Sequence, residues 1–486
     1  SSACSSASIA AMAAALLALL LLPATTALYA PPTSVRRPSR LQDALTEGNK
    51  CYMAGDLAGA KKAYEAGAAA GSVDCRVNLA SVCLDSGDEG AAEHLYREAL
   101  AEAFHLDAAQ NLAGVLQARG GYESTREASL LLRDVVRADA TRWDAWANLG
   151  SALADAGAPK LDAIKCFQRG ITRAEAVERD PGTPAELVEG IRRSLGEVYY
   201  GLGACLADLN SAQRFEAYGD GEVLLTARDE NVNLYDGSQA DADAAVAETA
   251  ANALRAALEL KGGDFPLAQH ALDALATREG AAAPDRASPA FVRALFDDFA
   301  PTFDDQLQNV LQYKAPELIA AKCAERGPYA AAFDAGCGTG LLGPPLRDSV
   351  GRLVGADLSQ NMVDKARELG CYDSLLVGDL LDAALYDEAF DLVAAADVLC
   401  YFGDLAAILE RWHGALAPGG DCVFSCERAP GDTWVLGASG RYAHAVDYVR
   451  ATASNAGFSV VSAEDIVPRV ENGNDVPGTL YVLSKS

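Results

Sequence analysis

The segment Asp334-Ala335-Gly336-Cys337-Gly338-Thr339-Gly340 follows a short apolar run and places glycine at alternate positions. Glycines there permit a tight turn and let ligand atoms approach the backbone, where a side chain would collide. Two more acids close comparable apolar runs: Asp357 in Val354-Gly355-Ala356-Asp357-Leu358-Ser359 and Asp379 in Val377-Gly378-Asp379-Leu380. An acid at a strand end can accept both hydroxyls of a ribose, so the set reads as a cofactor site. Gly338-x-Gly340-x-x-Gly343 with Asp357 behind it is also a literal dinucleotide fingerprint, and the loop alone does not discriminate.

These residues need a scaffold that brings them to one edge. From Ala330 onward, short apolar stretches alternate with helical ones, which predicts a parallel sheet with crossover helices. Strands are expected near Ala331–Asp334, Leu353–Asp357, Leu375–Val377, Asp391–Ala395, Cys422–Cys426, Ser459–Ala463 and Leu480–Ser484. The fold class is α/β, an open doubly wound sheet. Against a nicotinamide enzyme stand Asp379, the Pro418-Gly419-Gly420 turn and the closing strand pair after Gly457.

This succession resembles the class I S-adenosylmethionine-dependent methyltransferases from about Phe291 to the end, which implies a Rossmann-like, seven-stranded sheet. By that resemblance Gly336, Gly338 and Gly340, with Cys337 among them, would line the methionine part of S-adenosylmethionine, and Asp334 would help hold its ammonium. Asp357, beside Leu358, would take the ribose hydroxyls. Asp379 would accept from the adenine amine with Leu380 beside the ring, and Ala396 and Asp397 would lie near the sulfonium. The stretch Phe291-Val292-Arg293-Ala294-Leu295-Phe296-Asp297-Asp298-Phe299-Ala300-Pro301-Thr302-Phe303-Asp304 is similar to the cap helix of repeat-bearing methyltransferases related to the Williams-Beuren-region methyltransferase-like proteins. Ala395–Leu405 and Gly440–His444 support that subgroup, in which Phe303 would cover the cofactor. If the acceptor needs a general base, Asp397, Tyr401 and His444 are the candidates, Asp397 first. The absence of Asp-Pro-Pro-Tyr or Asn-Pro-Pro-Tyr after the fourth strand points to a small molecule or a protein side chain as acceptor.

The first half is organised differently. Ala44, Gly48, Cys51, Gly55, Ala60, Tyr64 and Gly67 superimpose on Arg76, Ala80, Cys83, Gly87, Ala92, Tyr96 and Ala99, and weaker frames follow through Leu112 and Trp146. These resemble tetratricopeptide repeats, an all-α solenoid whose usual work is binding a partner or peptide. Residues 41–210 are assigned to that array and 211–289 to an irregular linker with a further helical hairpin from Ala250 to Arg278. Residues 290–486 form the methyltransferase domain. A different class of function also fits: a scaffold whose repeats bind a partner and whose methyltransferase-like domain has little or no turnover.

Residues 1–40 read as a targeting segment. An apolar run, Ile9–Leu22, ends at Pro23 and leads into small residues, after which arginines and hydroxyls appear with no acid until Asp43. That is too short to span a membrane and similar to a bipartite plastid presequence, with ordinary secretion, a membrane anchor or the cytoplasm as the alternatives. The formal charge of -28 argues against a nucleic-acid partner, because phosphates must be neutralised by clustered Lys and Arg. The 12 cysteines include no Cys-x-x-Cys, and with five histidines they predict reduced thiols and no metal site.

Overall fold

A computed structural model of the chain describes residues 39–219, 238–278, 280–299, 303, 313–386, 389–437, 439–471 and 474–486. The targeting segment lies outside them. The described residues fall into two compact units divided between Gly201 and Leu202.

The first unit is built from helical hairpins: α1 (Ser39–Met53) with α2 (Leu57–Ala69), α3 (Val73–Asp85) with α4 (Glu89–Glu102), α5 (Leu106–Arg119) with α6 (Tyr122–Ala138), and α7 (Trp143–Asp155) with α8 (Lys160–Arg179). Helix α9 (Ala185–Ala207) crosses the division. The hairpins repeat their own local chemistry. Gly55 and Gly87 turn the chain at positive φ, and the aspartates that follow them, Asp56 and Asp88, cap the next helix by accepting from Gly59 N and Ala91 N. Small residues face bulky ones across the first and the fourth pair. A Cβ on Gly48 would lie 2.3 Å from the Tyr64 ring, and one on Gly150 would lie 2.8 Å from Phe167. This geometry explains the register of small and aromatic residues seen in the sequence.

In the second unit the segment assigned as a linker is more regular than expected. Helix α10 (Ser211–Gly219) precedes residues 220–237, which lie outside the described set, and α11 (Gln239–Leu260) begins well before Ala250. The cause is a capping box, in which Ser238 and Asp241 bond reciprocally. Its exposed Asp and Glu residues masked the apolar face formed by Val246, Ala250 and Leu254. Helix α12 (Pro266–Arg278) follows, then α13 (Pro289–Phe299), the helix expected as a cap.

The sheet contains all seven expected strands. After α14 (Ala315–Arg326) come β1 (Tyr329–Ala335), the short helix α15 (Gly343–Arg347), β2 (Val350–Asp357), α16 (Gln360–Glu368), β3 (Ser374–Val377) and β4 (Phe390–Ala395). Helix α17 (Ala406–Ala415), β5 (Leu416–Glu427), the hairpin β6 (Trp434–Leu436) and β7 (Tyr442–His444), α18 (Val446–Asn455), β8 (Phe458–Ile466), the hairpin β9 (Val470–Glu471) and β10 (Asn474–Asp475), and β11 (Gly478–Lys485) complete it. The seven-stranded order is β3-β2-β1-β4-β5-β11-β8, parallel through β5, with β11 antiparallel to both neighbours. Buried strands read as near-continuous apolar runs, as a sheet covered on both faces requires. Strand order reverses between β1 and β4, so ligands are expected at the carboxyl edge there.

Candidate functional site

That edge opens into a cavity of about 160 Å³. It is lined by Asp334, Gly336, Cys337 and Gly338 after β1, Asp357 and Leu358 after β2, Asp379 and Leu380 after β3, and Ala396 and Asp397 after β4. Phe303 also lines it. The structure thus brings together every expected binding residue except Gly340. Gly340 turns its bare Cα away from the cavity, where a Cβ would lie 2.8 Å from Leu369, and its φ of +92° is the reason for glycine. Its role is to let the loop pack against α16.

The loop is folded over the end of β2, with Gly336 N and Cys337 N donating to Ala356 O at 2.8 and 2.9 Å. A Cβ on Gly338 would meet only Phe303 at 3.9 Å, so this position leaves backbone exposed to the cavity. Asp357 accepts from Gly338 N and Ser359 N, both at 2.9 Å, and burial nonetheless raises its pKa. Asp334 is 1% exposed. Burial pushes its carboxyl up to about 7, against the opposing hydrogen bond from Tyr372 Oη at 2.6 Å. A desolvated carboxylate and an open backbone cradle in one cavity fit a cationic, nucleoside-bearing cofactor. The cap helix is tied over this edge by Ser359 Oγ, which donates to Asp297 at 2.6 Å, and by Asn361 Nδ2, which donates to Asp297 O at 2.7 Å.

Asp397 sits at the cavity but is not poised as a base. Its φ of +59° turns the chain sharply after β4, and its N–H is satisfied by Ser425 Oγ at 3.1 Å. Its carboxylate accepts from Arg441 Nη2 at 2.7 Å and Arg469 Nη1 at 3.4 Å, and both arginines also bond Glu427. Burial alone would raise its pKa, but Arg441 and Arg469 outweigh burial and hold the carboxyl below its ordinary value. Proton acceptance there is disfavoured, which corrects the expectation of Asp397 as general base. Cys400, with Asp397 and Glu427, could frame a cation, but the arginines supply the positive charge and burial keeps the thiol protonated.

His444 is not among the cavity residues. Its Nε2 faces Phe402 O at 2.8 Å and Gly403 O at 3.2 Å, and burial drops its pKa to about 4. Tyr401 does line the cavity, where it accepts from Arg441 Nη1 at 3.2 Å. Sequence reasoning missed Arg286, Tyr313, Arg441 and Arg469, all of which line the cavity. It also missed His270, which bonds Gly440 O at 2.8 Å and stacks on Phe291 at 3.9 Å behind the wall. No motif marks these residues; the signal available for Arg441 was its place in the Gly440–His444 stretch.

Residues 333–424 match the methyltransferase domain family. Malonyl-[acyl-carrier protein] O-methyltransferase of Pseudescherichia vulneris is 31% identical over 134 residues, 28% of this chain and 52% of that protein. Nodulation protein S of Rhizobium tropici is 32% identical over 109 residues, 21% of this chain and 45% of that protein. The chain therefore spans about half the length of these curated relatives. A solved S-adenosylmethionine-dependent methyltransferase from Mesorhizobium loti aligns over 35% of this chain and 96% of its own, at 22% identity and a TM-score of 0.30. Within the second unit, residues 333–424 are thus similar to a methyltransferase domain, and they span the strands β1 to β5 whose carboxyl edge forms the cavity.

Proposed function

We propose that this chain is an S-adenosylmethionine-dependent methyltransferase acting on a small molecule or a protein side chain, with the N-terminal helices serving as tetratricopeptide repeats that recruit a partner or substrate. The observation that carries the cofactor is the convergence of Asp334, Asp357 and Asp379 with the open backbone of Gly338 on one cavity. When bound, S-adenosylmethionine supplies an electrophilic methyl group on a sulfonium. Asp334 would face its ammonium, Asp357 its ribose and Asp379 its adenine amine. Phe296 and Phe303, in edge contact at 5.8 Å, would exclude water and align the acceptor. With Asp397 held by two arginines and His444 outside the cavity, neither supplies a base. This supports an acceptor that arrives already nucleophilic, since a hydroxyl, a thiol or a protonated amine requires proton removal.

Calorimetric titration of the full chain with S-adenosylhomocysteine, with NAD as control, tests the reading. Micromolar binding of the first alone is expected. Asp357→Ala removes a charge-assisted acceptor worth about 1.5–3 kcal/mol, so affinity should fall about tenfold to hundredfold. Unchanged binding in that variant would refute the site assignment. For residues 1–40 we propose plastid delivery, which a fluorescent fusion of the leader remaining in the cytosol would overturn.

A further inference from the structure

Arg286 lies between α12 and α13, outside the stretch that matches the methyltransferase family. Its backbone is fixed on both sides. Ala287 N donates to Tyr401 O at 2.9 Å, and Asp285 O accepts from Gly403 N at 2.7 Å and Asp404 N at 2.9 Å. Arg286 itself forms an isolated antiparallel bridge with Phe402, and its guanidinium lies 5.0 Å from the centre of that ring. From there it reaches the end of β3 and meets Asp379 in a two-pronged pair. Nη1 donates to Oδ1 at 3.2 Å and Nη2 donates to Oδ2 at 2.9 Å. Both side chains line the cavity, beside Leu380.

The hydrogen-bonding capacity of this pair is not exhausted. A carboxylate offers about four lone-pair sites and a guanidinium five N–H donors. Oδ1 of Asp379 accepts from Arg286 Nη1 and from Leu381 N at 3.0 Å, whereas among the described residues Oδ2 accepts from Arg286 Nη2 alone. On Arg286, Nε donates to Ala287 O at 3.3 Å and each Nη commits one hydrogen to Asp379. An acceptor on Oδ2 and a donor on Nη2 therefore stand side by side, 2.9 Å apart. Adenine presents the complement, an amino donor beside a ring-nitrogen acceptor, and an asparagine amide reads it through the same paired pattern.

We propose that Arg286 and Asp379 act as one unit that reads the adenine edge of the cofactor, Asp379 accepting from the amino group and Arg286 donating to the neighbouring ring nitrogen. This rests on the S-adenosylmethionine reading above. It assigns a cofactor-binding residue to a segment that sequence alone assigns to a linker, and it makes the site selective. The ring nitrogen is N1: hypoxanthine replaces the amino group with a carbonyl and the bare N1 with N1–H, which turns an oxygen lone pair toward the carboxylate and a donor toward Arg286.

The test is calorimetric titration of the full chain with S-adenosylhomocysteine and with S-inosylhomocysteine, in which the 6-amino group is a carbonyl. The wild type should prefer the adenine ligand by about a hundredfold, and Arg286→Ala should weaken the adenine ligand about tenfold and cut the preference to about tenfold. Arg286→Lys keeps a positive charge on Asp379 without the planar donor, so it should recover the wild-type melting temperature but not the preference. An unchanged preference in Arg286→Ala, or tighter binding of S-adenosylhomocysteine, would overturn the assignment, the second by showing that Arg286 blocks the site. If S-adenosylhomocysteine binding depends on Asp357 but not on Arg286, only this inference fails. If the wild type binds neither ligand, the cofactor reading fails with it.

Discussion

The helical unit and the α/β unit place their key residues by opposite means. In the hairpins, partners are close in the chain: Gly48 accommodates Tyr64, and the Tyr64 hydroxyl donates to Asn49 at 2.7 Å. In the α/β unit, partners come from distant loops: Arg286 reaches Asp379 across 93 positions and Arg469 reaches Asp397 across 72. Local pairing lets the hairpins repeat and leaves little buried charge to stabilise. Distant pairing assembles opposite charges around one cavity, where each member depends on the others. The α/β unit should therefore be the more sensitive to loss of a single charge, and the hairpins the more sensitive to volume.

The sharpest test of that contrast is Arg441→Ala. Among the described residues it leaves Asp397 and Glu427 with Arg469 as their arginine partner, in surroundings where removing one partner of a buried pair costs about 3–5 kcal/mol. Chemical denaturation followed at the tryptophans of the α/β unit should show a loss of that size. A loss below about 1 kcal/mol would mean that water enters the cluster and that the charges are not interdependent.

An effect of comparable size is expected at Asp334, where pH takes the place of mutation. The folded carboxyl has a pKa of about 7 against an ordinary 3.8, so the folded state holds its proton over that interval. Stability of this unit should fall as pH rises from about 4 to about 7, because the unfolded chain releases the proton first. Cofactor binding should move the other way, since an ammonium needs the ionised carboxylate. Affinity for S-adenosylhomocysteine should increase about twentyfold between pH 5.5 and 7.5 by this linkage, and Asp334→Asn should flatten the profile. A flat profile in the wild type would detach the ammonium from Asp334.

The same contrast explains what was legible in the sequence. The strands and their terminal acids could be read because apolar runs and the residues that end them are local features, and Asp334, Asp357 and Asp379 do share one cavity. Gly340 stands outside the cavity lining, a distinction the sequence does not make, because a glycine needed for positive φ and helix packing has the same sequence signature as one that exposes backbone to a ligand. Asp397 was correctly placed at the cavity edge. Its availability as a base could not be judged, because Arg441 and Arg469 arrive on a loop and a hairpin whose paths no periodicity records. Arg286 was hidden for the same reason, inside a segment whose alanines and prolines describe a turn but not its destination. The start of α11 was missed because Asp241 and its acidic neighbours looked like loop while serving as cap and exposed face.

The smallest effects are expected in the hairpins, where sign is more informative than size. Gly48→Ala and Gly90→Ala make the same chemical change in neighbouring pairs, and each should gain up to about 1 kcal/mol from helix propensity. At Gly90 nothing lies within 4 Å of the added Cβ, so the gain should persist as a slight rise in the melting temperature of the helical unit. At Gly48 the Cβ would press on the Tyr64 ring at 2.3 Å. That ring is buried and tethered through its hydroxyl to Asn49, so it cannot swing aside without breaking the bond. Overpacking of this kind costs about 1–3 kcal/mol, enough to exceed the propensity gain and reverse the sign. Two stabilising substitutions would mean that the hairpins are loosely packed and that the recurrence of small residues opposite aromatics has another cause.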